Sequence, residues 1–147
     1  MEYTLERGYE DCDLYKAHQG DAGLDLKAKE DTVLFVGQRL LVPTALRVAV
    51  PQGWVGLVCP RSGLALKHGV TVLNAPGVID SGYRGDLNVL LMNHGDEPFH
   101  IKRGDRIAQL VLTVFSTPPL HRVGQFNDAT ERGEAGFGSS GISKIVH

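Results

Sequence analysis

Apolar runs too short for helices, each stopped by glycine or proline, dominate the first 115 residues of this chain. Residues 33–36, 40–42, 46–50 and 54–59 follow one another, with Gly37 and Pro51-Gln52-Gly53 among the breaks. Strands of this length, punctuated by turn-formers, build sandwiches and barrels. Upstream, Leu24, Leu26 and Ala28 alternate with Asp25 and Lys27, which predicts a half-buried strand over residues 21–28 with Asp25 on its polar face. Tyr3 and Leu5 start an edge strand. Downstream, residues 99–102 and 107–114 read as strands joined by Arg103-Gly104-Asp105-Arg106, a tight turn rather than an adhesion motif. One helix is expected, over residues 62–68, with Ser62 as its cap and Gly69 as its end.

The expected fold is therefore all-β, a sandwich or barrel with one short helix and a glycine-rich C-terminal arm. At 147 residues the chain is long enough to bury a core and suggests a single domain. Residues 1–115 form its β-rich body and 116–147 the arm, where Pro118-Pro119 break the strand pattern. No internal repeat and no linker divides the body.

Residues 74–87 concentrate the chemistry. Four turn-formers stand between the apolar lead-in Val72-Leu73 and an apolar lead-out over residues 89–92, which predicts a β-hairpin with an elaborated tip. Within it, Val78-Ile79 precede a lone carboxylate, Asp80, with Tyr83 three residues on. Two readings compete. Asp80 is either a positioned general base or a side chain that caps the turn. Arg61, beside Ser62 and Gly63 at a helix start, is either an anion site or a surface arginine next to an ordinary cap. Gln109 interrupts an apolar strand, so its amide satisfies the backbone or reaches a bound water.

In the tail, Arg132, Gly133, Gly138, Ser139 and Ser140 approach phosphate-loop spacing, but Ser139 stands where that loop needs lysine. The hydroxyls, glycine N–H groups and Arg132 suit a polyphosphate, and Phe137 suits the face of a base. Such a segment serves either as a disordered tail or as a lid that orders over a ligand.

Composition narrows the classes. A net charge of −2 with mixed signs marks neither a general nucleic-acid binder nor a membrane-surface protein. No apolar run approaches membrane-spanning length. The acidic residues Glu2, Glu6, Glu10, Asp11 and Asp13 are foreign to a signal peptide, so the expected location is cytoplasmic. Cys12 and Cys59 are too few for a disulfide framework, and the six histidines show no paired metal-ligand spacing.

Five segments together carry a specific resemblance. Ala22-Gly23-Leu24-Asp25-Leu26, Pro60-Arg61-Ser62-Gly63-Leu64-Ala65, the stretch from Gly77 to Gly85, Arg106-Ile107-Ala108-Gln109-Leu110 and the stretch from Arg132 to Gly141 resemble, in order, the five motifs of the trimeric dUTP pyrophosphatase (dUTPase) family. The resemblance implies a jelly-roll-like β fold and a homotrimer with active sites shared between subunits. It implies Mg²⁺-assisted hydrolysis of dUTP to dUMP and pyrophosphate, limiting uracil in DNA and supplying dUMP for dTMP synthesis. Asp80 becomes the base that activates the attacking water, and Gln109 helps to hold that water. Asp25 lies near the water shell of the metal, and Arg61, Ser62 and Gly63 bind phosphate oxygens. The hairpin backbone from Gly77 through Val78 and Ile79, with Asn74 and Asn88, reads uracil. Tyr83 packs under the deoxyribose. Arg132, Gly138, Ser139 and Ser140 close on the terminal phosphates, with Phe137 stacked on the base.

Direct attack by water suits a chain without a Cys-His or Ser-His-Asp set. Two alternatives share the fold. A dCTP deaminase would need a glutamate on the strand leaving the hairpin, and residues 87–91 contain none. A non-catalytic dUTP-binding regulator would be expected to lack Asp80 or the tail motif, and both are present.

Overall fold

The computed structural model of the chain describes residues 1–126, 130, 133 and 134. Chain contacts divide it into two units, Met1–Ser116 and Thr117–His147. In the second unit the described stretch 117–126 has no helix or strand. Among the described residues no helix is long and apolar enough to cross a membrane.

The first unit is built from ten strands and one helix: β1 (Glu2–Leu5), β2 (Gly23–Lys27), β3 (Thr32–Leu34), β4 (Arg39–Ala49), β5 (Trp54–Cys59), α1 (Ser62–His68), β6 (Val70–Val72), β7 (Gly77–Ile79), β8 (Leu87–Asn93), β9 (Phe99–Ile101) and β10 (Arg106–Val114). One antiparallel sheet has the order β1-β4-β8-β6, a second β2-β10-β5-β7, and β3 pairs with β9. The core is aliphatic and drawn from both large sheets, with Val42, Leu46, Leu87, Val89 and Leu91 from one and Leu26, Val58, Ile107 and Leu110 from the other. In β8 the period of two is complete: Leu87, Val89, Leu91 and Asn93 are buried, and the residues between them are half-buried.

Asn93 is a buried polar side chain with its hydrogen bonds made. Its Nδ2 donates to the carbonyls of Leu34 and Glu97, at 3.0 and 2.9 Å, and its Oδ1 accepts from Gly95 N at 2.8 Å. Cys12 is also buried, with Sγ donating to Ala28 O at 3.2 Å, and burial pushes its thiol pKa up. Both cysteines are free thiols.

The jelly-roll-like all-β expectation holds, with β1 at a sheet edge, and several details differ. The runs at 40–42 and 46–50 are parts of the single strand β4, whose pairing with β8 slips between Pro43 and Leu46. Ala45, at φ 62°, occupies the left-handed region there, so the two extra residues, Thr44 and Ala45, are taken up in a bulge instead of ending the strand. The expected 33–36 strand ends at Leu34, because Gln38 N bonds Phe35 O and turns the chain.

Ser62 is not the helix cap. Arg61 holds that position in extended conformation, with no side-chain capping bond. Gly69 does end the helix, at φ 65°.

The largest difference concerns the hairpin. β6 and β8 pair as expected, but β7, between them in sequence, leaves their sheet and pairs with β5 in the other one. Residues 73–86 are therefore a crossing between sheets rather than a simple tip.

Candidate active site

The pairing of β2, β10 and β5 assembles one cleft from three distant segments. Gln109 on β10 lies opposite Asp25 on one side and Cys59 on the other, so Asp25, Gln109 and Cys59 form a row across the sheet. Two residues beyond Cys59, Arg61 leads into α1. Gly23 makes room for this arrangement, since a Cβ there would collide with Gln109 Oε1 and come 3.1 Å from its Cδ. The Gln109 amide is held in turn by donating from Nε2 to Pro60 O at 2.9 Å.

Asp25 is the hub of this cleft. Its Oδ1 faces Arg61 Nε and its Oδ2 faces Arg106 Nη1, each at 3.2 Å, with the Asp25 side chain only 13% exposed. Arg61 also donates from Nη1 to Arg106 O at 2.8 Å, so the two arginines are tied together twice. The backbone N of Asp25 donates to Tyr15 O at 2.7 Å, and the Tyr15 ring lies 5.8 Å from the Arg106 guanidinium. The two guanidiniums face Asp25, while a second carboxylate lining the cleft, Asp21, accepts from His18 N at 2.9 Å. Ser62 and Gly63, whose backbone N–H groups precede the first helical bonds of α1, complete the wall of a cleft of about 410 Å³. Its guanidinium and backbone N–H donors are of the kind that meet the oxygens of an anion.

A second, smaller cleft of about 280 Å³ lies at the crossing segment, lined by Leu41, Val78, Ile79, Asp80, Tyr83, Asp86 and Asn88. Its turn is closed by backbone, with Tyr83 N donating to Asp80 O at 3.0 Å. The Asp80 side chain is therefore not the turn's cap. No hydrogen bond reaches its exposed carboxylate among the described residues. Tyr83 O–H donates to Asp86 O at 2.9 Å, and Arg47 Nε meets the Asp86 carboxylate at 2.7 Å. Asn74 stands just outside this cleft, its amide against Gly77: a Cβ on Gly77 would lie 3.3 Å from Asn74 Nδ2.

Within one chain the two clefts are separate. Ile79 pairs with Gly56 and Gln109 with Cys59, so Asp80 stands level with Val55, four residues along β5 from the Gln109 row. Four residues at about 3.3 Å and two strand spacings of about 4.8 Å put the two backbone positions roughly 16 Å apart. Asp25, Arg61, Ser62, Gly63 and Gln109 thus come together, as do Val78, Ile79, Asp80, Tyr83 and Asn88. Arg132, Phe137, Gly138, Ser139 and Ser140 lie outside the described residues.

Sequence alone gives no reason to single out Arg106 for a role. The signal for it is the pairing register, which brings the start of β10 beside Asp25. As for metals, no three His, Cys, Asp or Glu side chains converge among the described residues. Both Asp25 oxygens already face guanidiniums. The donor set does not form a protein cage, and it fits a hard cation carried mainly by phosphate oxygens and water.

The sequence profile of the dUTPase family matches residues 12–141. The chain is 52% identical over 130 residues to a deoxyuridine 5'-triphosphate nucleotidohydrolase of Cutibacterium acnes, covering 88% of this chain and 85% of that protein. It is 46% identical over 142 residues to the protein of the same name from Clostridium kluyveri, covering 96% and 99%. Among solved structures, the dUTPase of Staphylococcus bacteriophage 80alpha with dUpNHpp aligns with a TM-score of 0.87 at 30% identity, covering 96% of this chain and 98% of that one. A point mutant of the dUTPase from phage phi11 of S. aureus, described with a structural Mg(II) ion, aligns at 0.76 and 28% identity, over 85% and 97%. The chain belongs to the dUTPase family.

Proposed function

We propose that this chain hydrolyses dUTP to dUMP and pyrophosphate, with Asp80 as the general base and the Asp25–Arg61–Arg106 cleft as the triphosphate site. A water oxygen attacks the α-phosphorus, the bond to the α–β bridging oxygen breaks, and pyrophosphate leaves with that electron pair. The water's proton passes to Asp80, whose carboxylate is free to accept it. Gln109 orients the water. Arg61, with the N–H groups of Ser62 and Gly63, holds phosphate oxygens. Positioning and charge neutralisation are most of what phosphoryl transfer asks of a protein. Asn74, Asn88 and the backbone from Gly77 to Ile79 read the uracil edge, and Tyr83 packs under the deoxyribose. The arm residues Arg132, Phe137, Gly138, Ser139 and Ser140 are assigned by family membership to the terminal phosphates and the base. Residues 1–115 act as the body and 116–147 as this arm.

When bound to the triphosphate, Mg²⁺ neutralises charge that Arg61 and Arg106 cannot match alone. Asp25 would meet its water shell rather than the ion. Two free cysteines agree with a reducing, cytoplasmic setting.

The observation that carries the assembly is the roughly 16 Å between Asp80 and Gln109 within one chain, derived from strand register. A base that far from the water-holding amide cannot serve it, so the site takes Asp80 from one subunit and Gln109 with Arg61 from another. A homotrimer closed by rotation supplies three such junctions. Exposed apolar side chains at Trp54, Val114 and Phe115 give it surface to bury. Neither a deaminase nor a non-catalytic regulator is favoured: β8 has no glutamate, and Asp80 is present and unencumbered.

Subunit mixing tests this directly. Asp80→Asn and Arg61→Ala proteins, each inactive alone, are co-refolded in equal amounts and assayed for pyrophosphate release. Random assortment into shared sites restores about a quarter of wild-type activity. No recovery, with mixed oligomers verified by mass, would mean that each site lies within one chain.

A further inference from the structure

We infer that Gly85 is a specificity-determining position, the bare seat on which the Tyr83 ring rests. The inference builds on the reading of Tyr83 as the residue under the deoxyribose. A Cβ at Gly85 would stand 2.6 Å from Tyr83 Cζ and 2.9 Å from Cε2. Carbon atoms in good contact keep about 3.5–4.0 Å, so ring and methyl group cannot both fit. Among the described residues the glycines in the left-handed region are Gly8, Gly20, Gly37, Gly53, Gly69, Gly104 and Gly133, and Gly85 is not one of them. The backbone therefore makes no demand for glycine at 85, and the ring does.

The same hydroxyl end of the ring is also held by a hydrogen bond. Its hydroxyl donates to Asp86 O, and the Asp86 side chain is fixed by Arg47 from β4. A ring tip against Gly85 and a hydroxyl tied to Asp86 set where the ring stands in the second cleft. Closely related sugars differ there by one hydroxyl at C2′, and a displacement of a fraction of an ångström changes whether that hydroxyl clashes.

In Gly85→Ala the atoms that must give way belong to the far end of a two-torsion side chain facing an open cleft. The ring swings off its seat and loses Asp86, while the backbone stays. The kcat/KM for dUTP falls about tenfold, mainly through KM, and the ratio of dUTP to UTP falls with it, because UTP already lacks the packing that is lost.

The experiment is a cycle of Gly85→Ala, Tyr83→Ala and the double variant, measuring kcat and KM for dUTP and UTP together with thermal unfolding. The inference expects both single variants to lower the dUTP/UTP ratio, and Gly85→Ala to have no further effect on ratio or melting temperature once the ring is gone. If Tyr83→Ala collapses the ratio and Gly85→Ala leaves it unchanged, the seat is refuted while the sugar reading stands. If neither changes it, the sugar reading fails and the seat with it. Should Gly85→Ala not fold, the double variant decides. Folding restored by Tyr83→Ala supports the ring seat, and a double variant that also fails to fold shows that glycine serves the backbone and overturns it.

Discussion

Asp25 and Asp80 belong to the same sheet, one on its edge strand β2 and the other just past its opposite edge strand β7, and their surroundings differ in kind. Asp25 is 13% exposed with a guanidinium against each oxygen, and its backbone is bridged to Tyr15. Asp80 is exposed, and its carboxylate meets no partner among the described residues. A carboxylate whose oxygens are occupied by fixed cations serves as a brace. A carboxylate presented free at a turn that its own backbone closes is available to a water. Residue type is the same in both places, and role follows from what the neighbouring strands bring.

The comparison breaks first at Asp80. Asp80→Asn keeps the shape and removes the base, so kcat should fall about 10²-fold or more. KM for dUTP and melting temperature should stay close to wild type, since no hydrogen bond is lost. Pyrophosphate release gives the rate, and near-normal turnover would remove Asp80 from the mechanism.

Asp25→Asn should show the opposite balance. It leaves a half-buried Arg61 and an exposed Arg106 facing an amide, at a cost of about 1 kcal/mol in stability. Urea unfolding at fixed protomer concentration reads this, because any oligomer makes the midpoint depend on concentration. Affinity for inorganic triphosphate should also change, as Arg61 and Arg106 lose the brace that spaces them. Unaltered stability would reduce the paired arginines to a surface feature.

The same contrast explains what could be read before the fold was known. The helix end at Gly69, the Asp25 strand and the strand at 54–59 follow from local periodicity and turn chemistry, and the chain adopts them. Asp80 could be placed in a turn, but whether its side chain or its carbonyl closed that turn depended on where Tyr83 N pointed. Gln109 needed a partner, and Pro60 O was beyond local prediction because it follows a strand paired across the sheet. β7 reads as hairpin tip because a three-residue run carries no mark of which sheet will accept it, and the open edge of β5 decided that. Pro43 and Ala45 look like a strand break, while pairing with β8 carries β4 past them through a bulge. Arg106 gained its place only through register. What escapes the sequence is therefore long-range pairing, and functional side chains sit where such pairings meet.

The mildest test uses an exposed counterpart of the Asp25 brace. Asp11 accepts from Arg103 Nη2 at 2.6 Å and from Nε at 2.9 Å, and Arg103 also donates to Gly8 O and lies 4.4 Å from the Tyr9 ring. These contacts pin the short turn at Glu10–Cys12 to the loop before β10. The hydrogen bonds from Arg103 are the main reason that the Asp11 carboxyl pKa is lowered. A folded-state pKa below the unfolded one stabilises the fold at pH above the ordinary carboxylate value, about 4, and that contribution is lost as pH falls through the folded value. Arg103→Met removes the pair and keeps much of the apolar contact with Tyr9. Its melting temperature should lie slightly below wild type at neutral pH, and the two should converge as pH falls below about 4 and on through the lowered folded value, where wild type loses the pair as well. Added salt at neutral pH should narrow the gap in the same way, since both groups face solvent. A gap that persists unchanged at low pH would mean that Arg103 works through its packing on Tyr9 and its bond to Gly8. The brace would then depend on burial, as at Asp25, and not on the pairing of charges alone.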